Sequence, residues 1–174
     1  ELEKQKVPTR KLLEDPYHFW YIGKSYYDST LGDYPLGMDH IKEYARRSIF
    51  YFGQYLNFKH DYHNTGKAKE IDELAYFALY AMGDMFKLCG NYEKALDCGM
   101  RAEEFAPSRN EHIVLQAECY KDLSDFDSMK LQTDRLMNPD RKLPFPQYNF
   151  LLNMEHYNDS GKYCEELHQI ANQV

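Results

Sequence analysis

The sequence predicts an all-α chain built from helix pairs, and three observations predict it. Apolar residues recur at helical spacing through most of the 174 residues. Strand-like alternation is nowhere sustained. Short clusters of Gly, Asn, Asp, Ser and Pro cut the helical pattern into segments of similar length, which is how stacked helix pairs are punctuated.

Asp15-Pro16 opens the first helix, because Asp can cap free amides and Pro fits the first turn, where its missing N–H costs nothing. This helix is expected to run to about Tyr27. A turn around "STLGDYP" leads to a long second helix, roughly Leu36 to Leu56, on the spacing of Ile41, Tyr44, Ala45, Ser48 and Phe52. The polar link "NFKHDYHNTGKAK" follows, then a third helix from Ile71 to Leu88 and a fourth after Gly90-Asn91.

Ser108 and Glu111 fit an S-x-x-E capping box, in which the Ser oxygen takes an amide of the first turn and the Glu reaches back to the cap amide. A fifth helix is expected from there to near Leu123, and "SDFD" turns the chain into a sixth. That helix should stop before Asn138-Pro139, since the residue preceding proline is pushed out of the helical region. The Pro-rich hinge "NPDRKLPFP" precedes a last pair, about Gln147 to Tyr157 and Lys162 to Asn172.

Acidic residues outnumber Lys and Arg by 28 to 21, for a net charge of -7, so the chain as a whole repels phosphate backbones and direct nucleic-acid binding is disfavoured. Cys89, Cys98, Cys119 and Cys164 form no C-x-x-C pair and lie within helical patterns, which suits reduced, buried thiols and a cytoplasmic location. No run of about 18 apolar residues suggests a membrane span. Residues 1–14 read as an N-terminal extension or linker and 15–174 as the helical domain. The first residue is Glu1 rather than Met, which fits a piece of a longer protein.

The segment "MGDMFKLCGNYEKALDCGMRAEEFAP" holds the pattern that organises the rest. With Gly83 at the eighth position of a unit of about 34 residues, Gly90 falls on the turn, and Ala95, Ala102 and Pro107 take the later small and terminal positions. This is the pattern of a tetratricopeptide repeat, in which small side chains let two antiparallel helices approach closely. The next unit places Ala117 at the eighth position and departs at Met129 and Leu136, where Ala is expected. Phe19, Ile22, Gly23 and Tyr26 set a first unit in the same frame, but Gly23 and Gly83 stand 60 residues apart, so that first pair must be elongated. The expected architecture is a tetratricopeptide-like α-solenoid of three to four antiparallel helix pairs.

No constellation in the sequence assembles an active site. "DFD", Asp125 to Asp127, has the form of a metal-binding Asp-x-Asp, but Asp is common in turns because it caps the helix that follows. His60 and His63 supply two imidazoles without a third or fourth ligand. His18 and His112, near helix starts, read as surface or groove residues beside no marked nucleophile. No catalytic residue, metal site or cofactor is expected. The candidate site is the groove lined by the first helix of each pair: Tyr17, Trp20, Lys24 and Tyr27, then Phe77, Tyr80, Asp84 and Lys87, then Glu118 and Lys121, with Glu111 and Val114 beside them. Its rings could either stack a ligand or pack against the long second helix or an adjoining domain. A two-carboxylate clamp of the chaperone-tail type is not matched, because Trp20, Lys24, Ala81, Glu111 and Leu115 occupy its positions.

The order of "FWYIGKSYYD", "IDELAYFALYAMGDMF", "GNYEKALDCGMRAEEFAPSRNEH", "AECYKDL" and "LPFPQYNFLLNMEHYN" resembles the helical region that follows the catalytic domain in family-2-type glycosyltransferases of bacteria and viruses. The resemblance spans Asp15 to about Glu166 and departs at the longer "YLNFKHDYHNTGKAK" link. It implies a non-catalytic appendage that positions an attached or associated transferase domain on its acceptor, or holds subunits together. The nucleotide-sugar fold and its metal-binding acids would lie upstream. The alternative is a free-standing tetratricopeptide adaptor that takes a peptide in its groove. Expected partners are a catalytic domain or another protein, or a carbohydrate or nucleotide acceptor, and not a membrane.

Overall fold

The computed structural model of the chain describes residues 16–32, 37–58, 68–138 and 140–141, the side chains of 58 and 68–71 excepted. Six helices account for the regular structure, and no strand occurs among the described residues. They are α1 (Pro16–Leu31), α2 (Met38–Phe58), α3 (Ala68–Leu88), α4 (Tyr92–Phe105), α5 (Glu111–Asp122) and α6 (Phe126–Leu136). The all-α class holds. The expected last pair after residue 146, the His60/His63 link and Cys164 lie outside the described residues.

Helix ends follow local chemistry. Helix α1 outlasts its expected end at Tyr27 by one turn, because the hydroxyls of Ser29 and Thr30 bond back to the carbonyls of Ser25 and Tyr27 at 2.8 and 2.6 Å and so keep the "ST" pair inside the helix. Asn91 caps α4 by accepting the Lys94 amide at 3.3 Å, and Asp125 caps α6 by accepting the Ser128 amide at 3.1 Å. The Ser128 hydroxyl first, and its amide second, hold the Asp125 carboxyl below the usual carboxylate range. Asp125 is therefore a cap of the turn.

The expected capping box at Ser108 is not formed. Helix α5 begins at Glu111 after an Asn110 N-cap whose side chain caps no amide, because Asn110 Oδ1 accepts Arg141 Nη1 at 3.0 Å instead. Glu111 still reaches back, accepting the Asn110 amide at 3.2 Å.

Each helix packs on the next in sequence, and α1 also meets α3 as α3 meets α5. Small residues mark the closest approaches. A Cβ on Gly83 would lie 2.4 Å from Leu115 Cδ2 and 3.3 Å from the Ala95 carbonyl oxygen, so only glycine lets α3 come this near to both α4 and α5. Ala95, Ala102 and Ala117 are fully buried, and so are Met129 and Leu136. Met129 and Leu136 stand 34 residues after Ala95 and Ala102 in the sequence. Between α1 and α2, the Ser48 hydroxyl donates to the Gly23 carbonyl at 3.0 Å in a buried contact. The main core gathers Trp20, Tyr27, Phe52, Tyr55, Tyr76 and Leu79 where α1, α2 and α3 meet. Of the three described cysteines, Cys98 and Cys119 are buried free thiols and Cys89 is half-buried. Burial pushes the Cys98 thiol up to about 11.

Candidate interaction face of helices α1, α3 and α5

Phe77, Tyr80, Asp84 and Lys87 recur every three or four residues, which sets them on one face of α3. Helices α1 and α5 flank that face, and the arrangement separates the candidate residues into an apolar part and a polar part.

The apolar part is packed. Trp20 is 8 % exposed, its indole N–H donates to the Leu74 carbonyl at 3.0 Å, and its ring lies 5.4 Å from Phe77 and 6.3 Å from Phe52 of the long helix α2. Phe77 in turn meets Phe52 at 6.0 Å and Tyr27 at 5.7 Å, both edge to face. Trp20 and Phe77 are thus occupied in joining three helices, with offset ring geometry that adds to the burial. Lys24 sits 5.9 Å over the Phe77 ring and pairs with Asp28 one turn on. Tyr17, on the first turn of α1, is half-buried.

The polar part is a connected network. Tyr27 donates its phenol proton to Asp84 Oδ2 at 3.0 Å, and Tyr80 hydrogen-bonds the same carboxylate. Lys87 Nζ lies 4.0 Å from Asp84 Oδ1 and pairs closely with Glu118 of α5, while Lys121 Nζ lies 3.9 Å from Asp122. Burial first, and the Asp84 charge second, push both phenols well above the usual tyrosine range. Burial likewise raises the Asp84 carboxyl, against the opposing pull of Lys87. For Lys87, burial works against the charge, and the Glu118 and Asp84 carboxylates more than offset it. Beside this network lies an open pocket of about 490 Å³, lined by Leu31, Met85 and Leu88 together with Asp84, Lys87 and Asp122.

A second polar cluster forms at the start of α5 around Glu111 and His112, and sequence reading missed the burial of His112 within it. His112, expected at the surface or in the groove, is fully buried. As the second residue of α5 it points between α3 and α4, with Nδ1 3.4 Å from the Tyr76 hydroxyl and Nε2 3.9 Å from Glu103 Oε2. The Tyr76 hydroxyl also lies 3.1 Å from Glu111 Oε2, and Arg109 both pairs with Glu111 at 3.1 Å and covers the Tyr76 ring at 4.5 Å. Glu103 is held by Arg135 of α6. Arg141 then clasps the preceding loop, donating to the carbonyls of Pro107 and Arg109 at 3.0 and 2.9 Å. Burial, with Arg135 and Arg141 nearby, depresses His112 to about 4, so the imidazole is neutral at ordinary pH. The available signal was "PSRNEH" itself, of which Arg109, Asn110, Glu111 and His112 find partners within the fold.

No family model matches the chain, and no curated protein matches it. Among the described residues, no group of three or more His, Cys, Asp or Glu is placed to hold a metal ion, and no helix is long and apolar enough to cross a membrane.

Proposed function

We propose that this chain is a tetratricopeptide-like interaction module of antiparallel helix pairs, without chemistry of its own, which binds a protein segment on the α1/α3/α5 face. In keeping with its resemblance to the helical region of family-2-type glycosyltransferases, the module serves as the appendage that positions such a transferase.

One observation carries the repeat reading. The turns Leu88–Tyr92 and Asp122–Phe126 share a backbone hydrogen-bond pattern: the Gly90 and Ser124 amides donate to Lys87 and Lys121 carbonyls, and the Asn91 and Asp125 amides donate to Phe86 and Tyr120 carbonyls, each at 2.9 Å. Both turns end in a capping side chain. Equivalent turns at one repeat spacing, with first helices in mutual contact, are what stacked pairs require. The polar network then lies on the first helices, where such stacks present their binding side.

The test is a pair of substitutions in the full-length natural protein. Trp20→Ala should lower the melting temperature and leave partner or acceptor binding intact well below it. Tyr80→Ala should weaken that binding more than it lowers stability. Binding unaffected by Tyr80→Ala would remove the face from consideration. An upstream reading frame lacking a mixed α/β region with an Asp-x-Asp motif would remove the transferase.

A further inference from the structure

The three lysines of the candidate face are already engaged within the chain: Lys24 with Asp28, Lys87 with Glu118, and Lys121 beside Asp122. Four carboxylates answer these three ammonium groups, and Asp84 is the one left to share Lys87, at 4.0 Å, with a closer acid. Two tyrosine hydroxyls support Asp84 as hydrogen-bond donors, but neither supplies charge. An acidic segment would find no uncommitted cation here. Asp84 also lines the pocket, together with Asp122, the competing Lys87, Thr30 and the apolar Leu31, Met85 and Leu88. Leu31 and Leu88 remain 62 % and 37 % exposed, so apolar surface borders the acid on the open side.

From this juxtaposition we infer that the pocket receives a lysine or arginine side chain from a basic, leucine-rich segment of a partner protein: the cation meets Asp84 and Asp122, and the apolar stem and neighbours cover Leu31, Met85 and Leu88. Such a side chain matches both halves of the lining, because its long methylene stem buries against apolar walls while its head stays polar. The inference rests on the interaction-module reading and names the chemistry of that module's partner.

The test uses two ten-residue peptides of identical leucine pattern, one with lysine and the other with glutamate at every polar position. Each is titrated into the ¹⁵N-labelled full chain, while amide shifts and a dissociation constant are read. The lysine peptide should bind saturably and shift the amides of Leu31, Asp84 to Leu88 and Asp122, and the glutamate peptide should not. Asp84→Asn should weaken the lysine peptide at least about fivefold, and Lys87→Gln, which removes the competing cation, should tighten it. Asp97→Asn, an exposed acid on α4 paired with Arg101, controls for overall charge and should leave binding unchanged. Because Asp84→Asn removes a network member, its spectrum must first match that of the native fold, and Lys87→Gln gives an independent reading in the opposite direction. Equal binding of both peptides, no saturable binding, or equal weakening by Asp84→Asn and Asp97→Asn would overturn the inference. Saturable glutamate-peptide binding on the same amides would overturn it while sparing the module reading. Dilution-dependent shifts of the pocket amides without peptide would identify a second copy of the chain as the occupant and overturn it as well.

Discussion

Gly90 and Ser124 stand at the same point of the α3–α4 and α5–α6 turns, and both hold left-handed backbone, at φ 77° and 59°. Only one of them is a glycine. A Cβ at Gly90 would meet nothing within 4 Å, so its requirement is conformational and not steric. Left-handed backbone costs a residue with a Cβ on the order of 1 kcal/mol. Gly90→Ala should therefore destabilise the chain by about 1 kcal/mol, and Ser124→Gly should stabilise it by up to about 1 kcal/mol, partly offset by the greater freedom of the unfolded glycine. Urea unfolding midpoints check both. Shifts of the same sign at the two positions would mean that the turns are not equivalent.

Ala95 is fully buried against Leu115, on the side of α4 that faces Gly83. Ala95→Glu forces a longer, charged side chain into that contact, where overpacking and an unpaired charge should together cost about 2 to 4 kcal/mol. An unchanged unfolding midpoint would show that α3, α4 and α5 do not meet here.

His112 makes stability depend on pH in a definite direction. Its folded pKa, about 4, lies below the ordinary 6.5, so the unfolded chain takes up the proton first. Stability from the neutral imidazole is complete above about pH 6.5, declines as pH falls towards 4, and levels off below. The span corresponds to about 3 kcal/mol. His112→Gln, which retains a polar side chain of similar reach towards Tyr76, should flatten this part of the curve. A native His112 that titrates by NMR near 6.5 would contradict the burial.

Among the described residues, helix order and most boundaries were legible in the sequence because caps and breakers act locally: Gly90-Asn91, Asp125 and the stop before Asn138 are decided by residues within one turn of each other. The box at Ser108 misled for the opposite reason. Arg141, more than 30 residues away, claims the Asn110 side chain, and no local pattern announces that competition. His112 was misplaced likewise, since its environment comes from Tyr76 on α3 and Glu103 on α4. Of the candidate face, the spacing on α3 found Phe77, Tyr80, Asp84 and Lys87 together. It could not tell which rings would be consumed by packing, because the Trp20 contact with Phe52 depends on how α2 packs against α1 and α3.

The central claim is that the α1/α3/α5 face contacts a protein partner, and site-directed photocrosslinking tests it most directly. A benzoylphenylalanine in place of Lys121 on that face is compared with one in place of Met100, which is half exposed on α4. In the full-length natural protein expressed in its own host, position 121 should crosslink to one defined protein segment, upstream in the same chain or in another, mapped by mass spectrometry and reduced by Asp84→Asn. Position 100 should not. Crosslinks of equal yield from both positions, or from position 100 alone, would contradict the account.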